Sequence, residues 1–403
     1  MSRPLTPIAD ALAQLLGSVP PAPAAENVPV AEALGRVLAE AVHAAIDVPA
    51  YDNSAMDGYA LRLRDVTEAG TVLPVSQKIA AGHPGTELAP GTAARIFTGA
   101  PIPPGADTVV MQENTEARDS GVAILQLPRA GENIRLRGHD IARGNVVLEA
   151  GQRLRPQDLG LLASLGVQRM SVRRTLTAAI VNTGDEVVAP GAELKAGQLY
   201  DSNSYTLAGL LQGLGFMVRK LGIVADTPAA TEAALQQAAR EADIVITTGG
   251  VSVGAEDHVR AAVEKLGHLS LWKLAIKPGK PFAFGEVAGR PFFGLPGNPV
   301  AVFVTFVLLV RPYILRMQGA AATQVPAFRV KAGFAVRDAG TREEYLRVRL
   351  VNEGGELVAQ LYPDQGSSVL TSLSWADGLA ILPAGTTLQR GDTLDYLSFT
   401  GLL

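Results

Sequence analysis

The sequence contains no cysteine. A disulfide framework, a thiolate metal site, an iron–sulfur cluster and a cysteine nucleophile are thereby excluded. It has five histidines, and no two stand in an H-x-x-x-H pair. Excess charge of one sign is also lacking: 35 Lys and Arg face 39 Asp and Glu, a net charge of −4. Slight acidity argues against general nucleic-acid binding, while leaving room for a local basic pocket. Long hydrophobic runs are missing too. The longest apolar stretch, Val300 to Val310, stops at Arg311-Pro312, well short of the ~20 residues of a membrane span, and predicts a buried helix. The opening MSRPLTPIADALAQLLGS lacks the apolar core of a secretory signal, so a cytoplasmic protein with no membrane contact is expected.

What is present is a 403-residue chain, 47% hydrophobic, with a mean hydropathy of +0.19, which excludes a largely disordered protein. Its length suggests about two to four domains. Glycine and proline make up about 17% of it, against a usual ~12%. Residues 5–16 and 28–42 place apolar residues at helical spacing, separated by the stiff Pro20-Pro21-Ala22-Pro23. From Asp47 short β-like segments follow, punctuated by glycine and proline, and helical texture returns at 156–165. The β segments therefore read as an insertion within a helical region. Residues 175–318 alternate apolar strands such as LTAAIVNTG and DIVITTGG with helices, one of them capped by Thr227 with Pro228 next. That alternation predicts a parallel sheet covered by helices. Beyond Val325 the texture is strand-like again, a small β domain.

In an open α/β sheet, ligands bind beyond the carboxyl ends of the strands. Three segments fall there. Thr247–Gly254, TTGGVSVG, joins a strand to a helix. Its Gly249, Gly250 and Ser252 suit an anion approaching the backbone, and equally a tight turn. Asp257 follows, either a metal ligand or a residue stabilising the first helical turn. In WKLAIKPGKP, Lys273 and Lys277 are four apart and Lys280 is three further on. On one strand the first two would share a face and converge on an oxyanion. The third segment, GLPGNP with Pro296 and Pro299, is a rigid turn opening the buried helix. By composition alone, DNSAMDGYA (52–60) and GENIRLRGHDI (131–141) read as ordinary polar loops.

Taken in order, DNSAMDGYA, FTGAPIPPGADTVVMQE, GENIRLRGHDI, NTGDE, YDSNSY, TTGGVSVGAED, KLAIKPGKPFAFG and GLPGNPV carry a resemblance. Together they resemble the molybdopterin molybdenumtransferase family, the molybdenum insertases, which includes the gephyrin E domain. The resemblance implies an α/β plus β multidomain fold. Its parts would be a helical dimerisation domain (1–46 with 142–174), an inserted β domain (47–141), an α/β molybdopterin-binding domain similar to the molybdopterin adenylyltransferase fold (175–320), and a small C-terminal β-barrel (325–403). It implies insertion of molybdate into adenylylated molybdopterin with release of AMP, aided by Mg²⁺ or a similar divalent ion. It also implies a homodimer with the cleft shared between subunits, a separate adenylyltransferase, and apo-molybdoenzymes as receivers of the product.

Carried over by motif, the catalytic set would be Asp57, Thr98, Glu186, Asp226, Asp257, Lys273 and Lys277, with Glu186 and Asp257 handling metal or adenylate. Arg135, Asp140, Gly249, Gly250, Ser252, Lys280, Pro296 and Pro299 would bind the pterin substrate and its phosphates. The sequence departs from the family pattern at His139, His258 and Ala301. Two other readings of the same fold stay open here: a tungstate insertase and a non-catalytic scaffold.

Overall fold

Two segments far apart in the chain pair near its amino end. The strand Ala25–Pro29 runs antiparallel to Arg169–Arg173, and Val42–His43 pairs with Val146–Leu148. Ala33, Leu38, Leu148, Leu154, Leu162, Met170 and Val172 fill the core between them. The structure is a computed structural model that describes residues 5–249 and 258–402.

The helical spacing of 28–42 does not produce a helix. The segment is the end of a strand, a short 3₁₀ turn at Val30–Glu32, and a return to Val42–His43. Gly35 sits at φ 73°, a left-handed conformation that interrupts a helix. The partner segment also competes for the backbone: Val30 N–H donates to the Gln168 carbonyl and Leu38 N–H to that of Gln152, both at 3.0 Å. The earlier helix, Ile8–Gly17, does form, but its buried Ala11 and Leu15 join the core of the α/β sheet.

Between these paired segments the chain is β, apart from short 3₁₀ turns at Leu63–Asp65 and Gln112–Asn114. A four-stranded sheet runs in the order Val75–Ile79, Ala93–Ile96, Gly58–Leu61, Thr108–Met111. A three-stranded sheet adds Thr71–Leu73, Gly121–Ile124 and Thr115–Arg118. Ile134–Arg135 pairs with Asn53–Ser54, drawing the two polar loops of the sequence together.

The central sheet has the order Met217–Val224, Thr177–Thr183, Ile244–Thr248, Arg290–Leu295, Pro281–Val287, Gly267–Lys273. The first four strands are parallel and the last two join antiparallel, a refinement of the parallel sheet expected. Strand Ile244–Thr248 is buried at every position, as strands covered on both faces must be. Trp272 stacks on Phe282 at 5.9 Å, and Phe293 meets Tyr313 edge-on at 5.1 Å. Such pairs contribute about 0.5–1.5 kcal/mol each beyond their burial, and here they hold the antiparallel edge against the long helix.

That helix spans Pro299–Met317, with a π turn at Phe306–Val310. Pro312 lacks an N–H and crowds the carbonyl four residues back, and the wider turn accommodates it. By length and composition the helix could cross a membrane, but 83% of it is buried inside the fold, where it forms the core.

Five strands at the carboxyl end, Ala327–Ala332, Glu343–Glu353, Glu356–Leu361, Gly378–Leu382 and Thr393–Ser398, close into a barrel through the pairing of the second with the fourth. The two-residue strand Ile276–Lys277 leaves the central sheet and joins this barrel beside Glu343–Glu344.

Candidate functional site

The sheet register brings the predicted segments to one rim. Asn182 lies opposite Thr248, Thr248 opposite Leu295, and Lys273 opposite Pro281. The edge strand carrying Lys273 runs in the direction of the parallel strands, because two reversals separate them. Gly184 to Glu186, Asp226, Gly249, Lys273 and Pro296 therefore all emerge at the carboxyl ends, where open sheets bind ligands. The buried Thr248 hydroxyl donates to Asn182 Oδ1 at 2.9 Å and ties two strand ends together.

Between this rim and the barrel lies a cavity of about 490 Å³. Lys277, Lys280, Asn298, Arg342 and Ser367 line it, with Gly249 and Pro296. Among the described residues its charged lining is entirely cationic. Arg342 Nη1 donates to the Ile276 carbonyl at 3.0 Å, which anchors the guanidinium at the wall. Pro299 occupies the first turn of the long helix, and Val300 N–H donates to the Ser367 carbonyl at 3.0 Å. The Asn298 side chain caps no helix N–H; its Nδ2 donates to Ser367 Oγ at 2.9 Å. The loop carrying Ser367 is fixed from below by Arg347, which is wholly buried and donates to the Gly366 carbonyl and to Ser372 Oγ, each at 3.0 Å. Burial lowers the Arg347 pKa to about 10.

Lys273 and Lys277 do not share a strand, contrary to the expectation from their spacing. Lys273 ends the central sheet, Leu274 N–H closes onto the Lys280 carbonyl at 2.7 Å, and Lys277 pairs with the barrel. Lys277 and Lys280 line the cavity, and Lys273 is not among its lining residues. Lys277 Nζ lies 3.2 Å from both carboxylate oxygens of Glu344. Arg342, Glu344 and Ser367 escaped the sequence reading because they belong to strand-like barrel sequence. The only cue was the charged run Arg342-Glu343-Glu344 opening a strand.

A second group forms in the inserted β region. One oxygen of Asp57 accepts the Thr98 N–H and the Thr98 hydroxyl, each at 2.8 Å. These bonds, the N–H first, hold the Asp57 carboxyl below its ordinary value, with the Arg95 charge assisting. Arg135 is exposed on the strand paired with Asn53–Ser54, and Asp140 donates its N–H to the Val48 carbonyl at 2.9 Å. Nearby, Arg137 pairs with Asp47 at 2.5 Å and gives its N–H to Asp52 at 2.7 Å. Within one chain, no residue of 47–141 lines the cavity.

Gly250, Ser252 and Asp257 lie outside the described residues. Glu186 folds back over Gly184, where a Cβ would meet its Oε2 at 2.7 Å. Glu186 and Asp226 are exposed, with no side-chain hydrogen bond or ion pair among the described residues. Those residues contain no cluster of three or more metal-ligating side chains. A hard divalent cation on phosphate oxygens needs only one or two carboxylates plus water, and the free Glu186 carboxylate at the rim fits that demand.

Three family descriptions match the chain in order. They are the MoeA N-terminal region (domain I and II) over residues 6–166, a probable molybdopterin binding domain over 179–316, and the MoeA C-terminal region (domain IV) over 329–399. The chain is 40% identical over 398 residues to the molybdopterin molybdenumtransferase of Haemophilus influenzae, covering 98% of each. It is 36% identical over 384 residues to molybdopterin molybdenumtransferase 2 of Mycobacterium tuberculosis, covering 91% of this chain and 94% of that one. The crystal structure of a molybdopterin biosynthesis moeA protein from Pyrococcus horikoshii OT3 matches with a TM-score of 0.85 at 30% identity, over 98% of this chain and 100% of the other. With identity of this order running the full length of both partners, the chain belongs to the molybdopterin molybdenumtransferase family, transferases of molybdenum cofactor biosynthesis.

Proposed function

We propose that this protein inserts molybdate into adenylylated molybdopterin, releasing AMP and the molybdenum cofactor. The observation that carries the reading is the cationic cavity at the strand ends, walled by Lys277, Lys280 and Arg342 and roofed by a helix-opening turn. Molybdate is a tetrahedral dianion, and such a ligand is stabilised by fixed cations and N–H donors held in place before it arrives. Glu186, with Asp257 from outside the described residues, would hold a divalent ion such as Mg²⁺. When bound, that ion offsets charge on the phosphate oxygens. Asp57, Thr98 and Arg135 would complete the cleft from the second subunit of a homodimer, since they do not reach the cavity of their own chain. The adenylylated substrate would come from a separate adenylyltransferase, and the product would pass to apo-molybdoenzymes in the cytoplasm.

The test is incubation with adenylylated molybdopterin, Mg²⁺ and molybdate, following AMP release and reconstitution of an apo-molybdoenzyme. Molybdate-dependent release of AMP together with an active molybdoenzyme is expected. Binding of the pterin without either product would overturn the reading in favour of a scaffold. Tungstate in place of molybdate shows which oxyanion the cavity prefers.

A further inference from the structure

Among the described residues, three cationic side chains line the cavity at the sheet rim and no acidic side chain lines it with them. They are not equivalent. The Lys280 side chain has no hydrogen-bond or ion-pair partner among the described residues, and Arg342 is held only by a neutral carbonyl. Among the described residues Lys277 alone of the three faces a carboxylate, with Nζ at 3.2 Å from both oxygens of Glu344. The Glu344 side chain is 18% exposed and that of Lys277 50%, so the carboxylate sits behind the lysine, on the barrel side. Its position is built in twice. Parallel pairing sets Lys277 opposite Glu344, and Gly340 leaves the room, since a Cβ there would meet Glu344 Oε1 at 2.7 Å.

We propose that Glu344 is a positioning counter-ion that tempers the hold of Lys277 on a tetrahedral dianion. The proposal rests on the oxyanion reading of the cavity given above. The carboxylate comes from a different unit of the fold than the lysines, and it draws off part of the charge that Lys277 offers an anion. An anion entering beside Lys277 is repelled by Glu344 in proportion to its own charge. A dianion is therefore loosened more than a monoanion, and molybdate is held lightly enough to be released into the reaction. Glu344 touches no reacting atom in this scheme and acts through Lys277.

Calorimetric titration of the full-length protein with molybdate, sulfate and perchlorate, without pterin substrate, tests this directly. Glu344→Gln keeps the shape and removes the charge. It should tighten molybdate and sulfate by about three- to ten-fold at low salt. Perchlorate, with half the charge, should tighten by only about the square root of that factor. The gain should shrink at ~0.5 M KCl, where screening acts within a few ångströms. Glu344→Asp should stay near the parent. Affinity in Glu344→Gln that is unchanged, weaker, or equally improved at all salt concentrations and for all three anions overturns the proposal. The underlying reading fails separately: it falls if the parent binds no molybdate, or if Lys280→Met leaves that binding untouched.

Discussion

Thr98 gives two hydrogen bonds to a single oxygen of Asp57, one from its backbone N–H and one from its hydroxyl, both 2.8 Å long. They hold the carboxyl below its ordinary value of 3.8. Because the folded value lies below the unfolded one, the stabilisation is present above the unfolded pKa. It is lost as pH falls through the folded value, in a window below about pH 4. Thr98→Val keeps the N–H and removes the hydroxyl. The Asp57 pKa should then rise toward its ordinary value in a carboxyl-carbon NMR titration, and an unmoved value would mean that the hydroxyl adds nothing.

Lys277 should matter to turnover and little to the fold. Its side chain is half exposed and its single ion pair is solvated, so Lys277→Met should shift the thermal midpoint by no more than about 2 °C. Losing a positioned cation on the oxyanion typically costs at least about 2 kcal/mol, so molybdate insertion should fall by about 30-fold or more. Turnover near the parent's at limiting molybdate would remove Lys277 from the site.

Asp57 and Lys277 lie on different units, and no residue near Asp57 lines the cavity of its own chain. A C₂ dimer with shared clefts would gather both lesions of an Asp57→Ala/Lys277→Ala heterodimer into one site and leave the other intact. Each homodimeric variant should be nearly inactive, and the purified heterodimer should recover up to about half the parent's activity. No recovery in a confirmed heterodimer would mean that each site is built within one subunit.

Asp243 ties the central sheet to the segment before it. It accepts Arg174 Nη1 at 3.0 Å, Arg174 Nη2 at 2.7 Å and the Thr177 N–H at 2.9 Å. Burial by itself would raise its carboxyl, but Arg174 and the Thr177 N–H outweigh that and bring it below the usual range. Asp243→Asn should therefore cost about 1–3 kcal/mol at neutral pH, read from denaturant unfolding. The depressed pKa means that the gap between parent and variant should narrow only as pH falls below about 4, through the folded value, where the parent's carboxylate protonates. A gap that stays constant from neutral pH down to about pH 2 would show that shape, not charge, holds the contact.

Local sequence was enough wherever one segment satisfies itself. Thr227 and Pro228 announce the helix Pro228–Glu241, and the Thr227 hydroxyl does accept the Ala230 N–H. The short apolar runs ending in glycine announce Thr177–Thr183 and Ile244–Thr248, because a strand buried on both faces is apolar nearly throughout. Ordered motifs also placed Lys277, Lys280 and Pro296 at the rim, since strand ends and the turns after them are contiguous in the chain.

Pairing between distant segments was beyond it. The apolar spacing of 28–42 is satisfied equally by a helix and by a strand with turns, and the carbonyls of Gln152 and Gln168 decide between them. Lys273 and Lys277 look like neighbours on one strand until Ile276–Lys277 finds its partners on the barrel about 65 residues away. Glu344 meets Lys277 only through that pairing. The sequence by itself determined which residues stand at strand ends and which runs are buried, because periodicity and turn chemistry act over a few residues. The tertiary structure alone decided which charges face one another, because an ion pair depends on the distance between atoms and not on their separation along the chain.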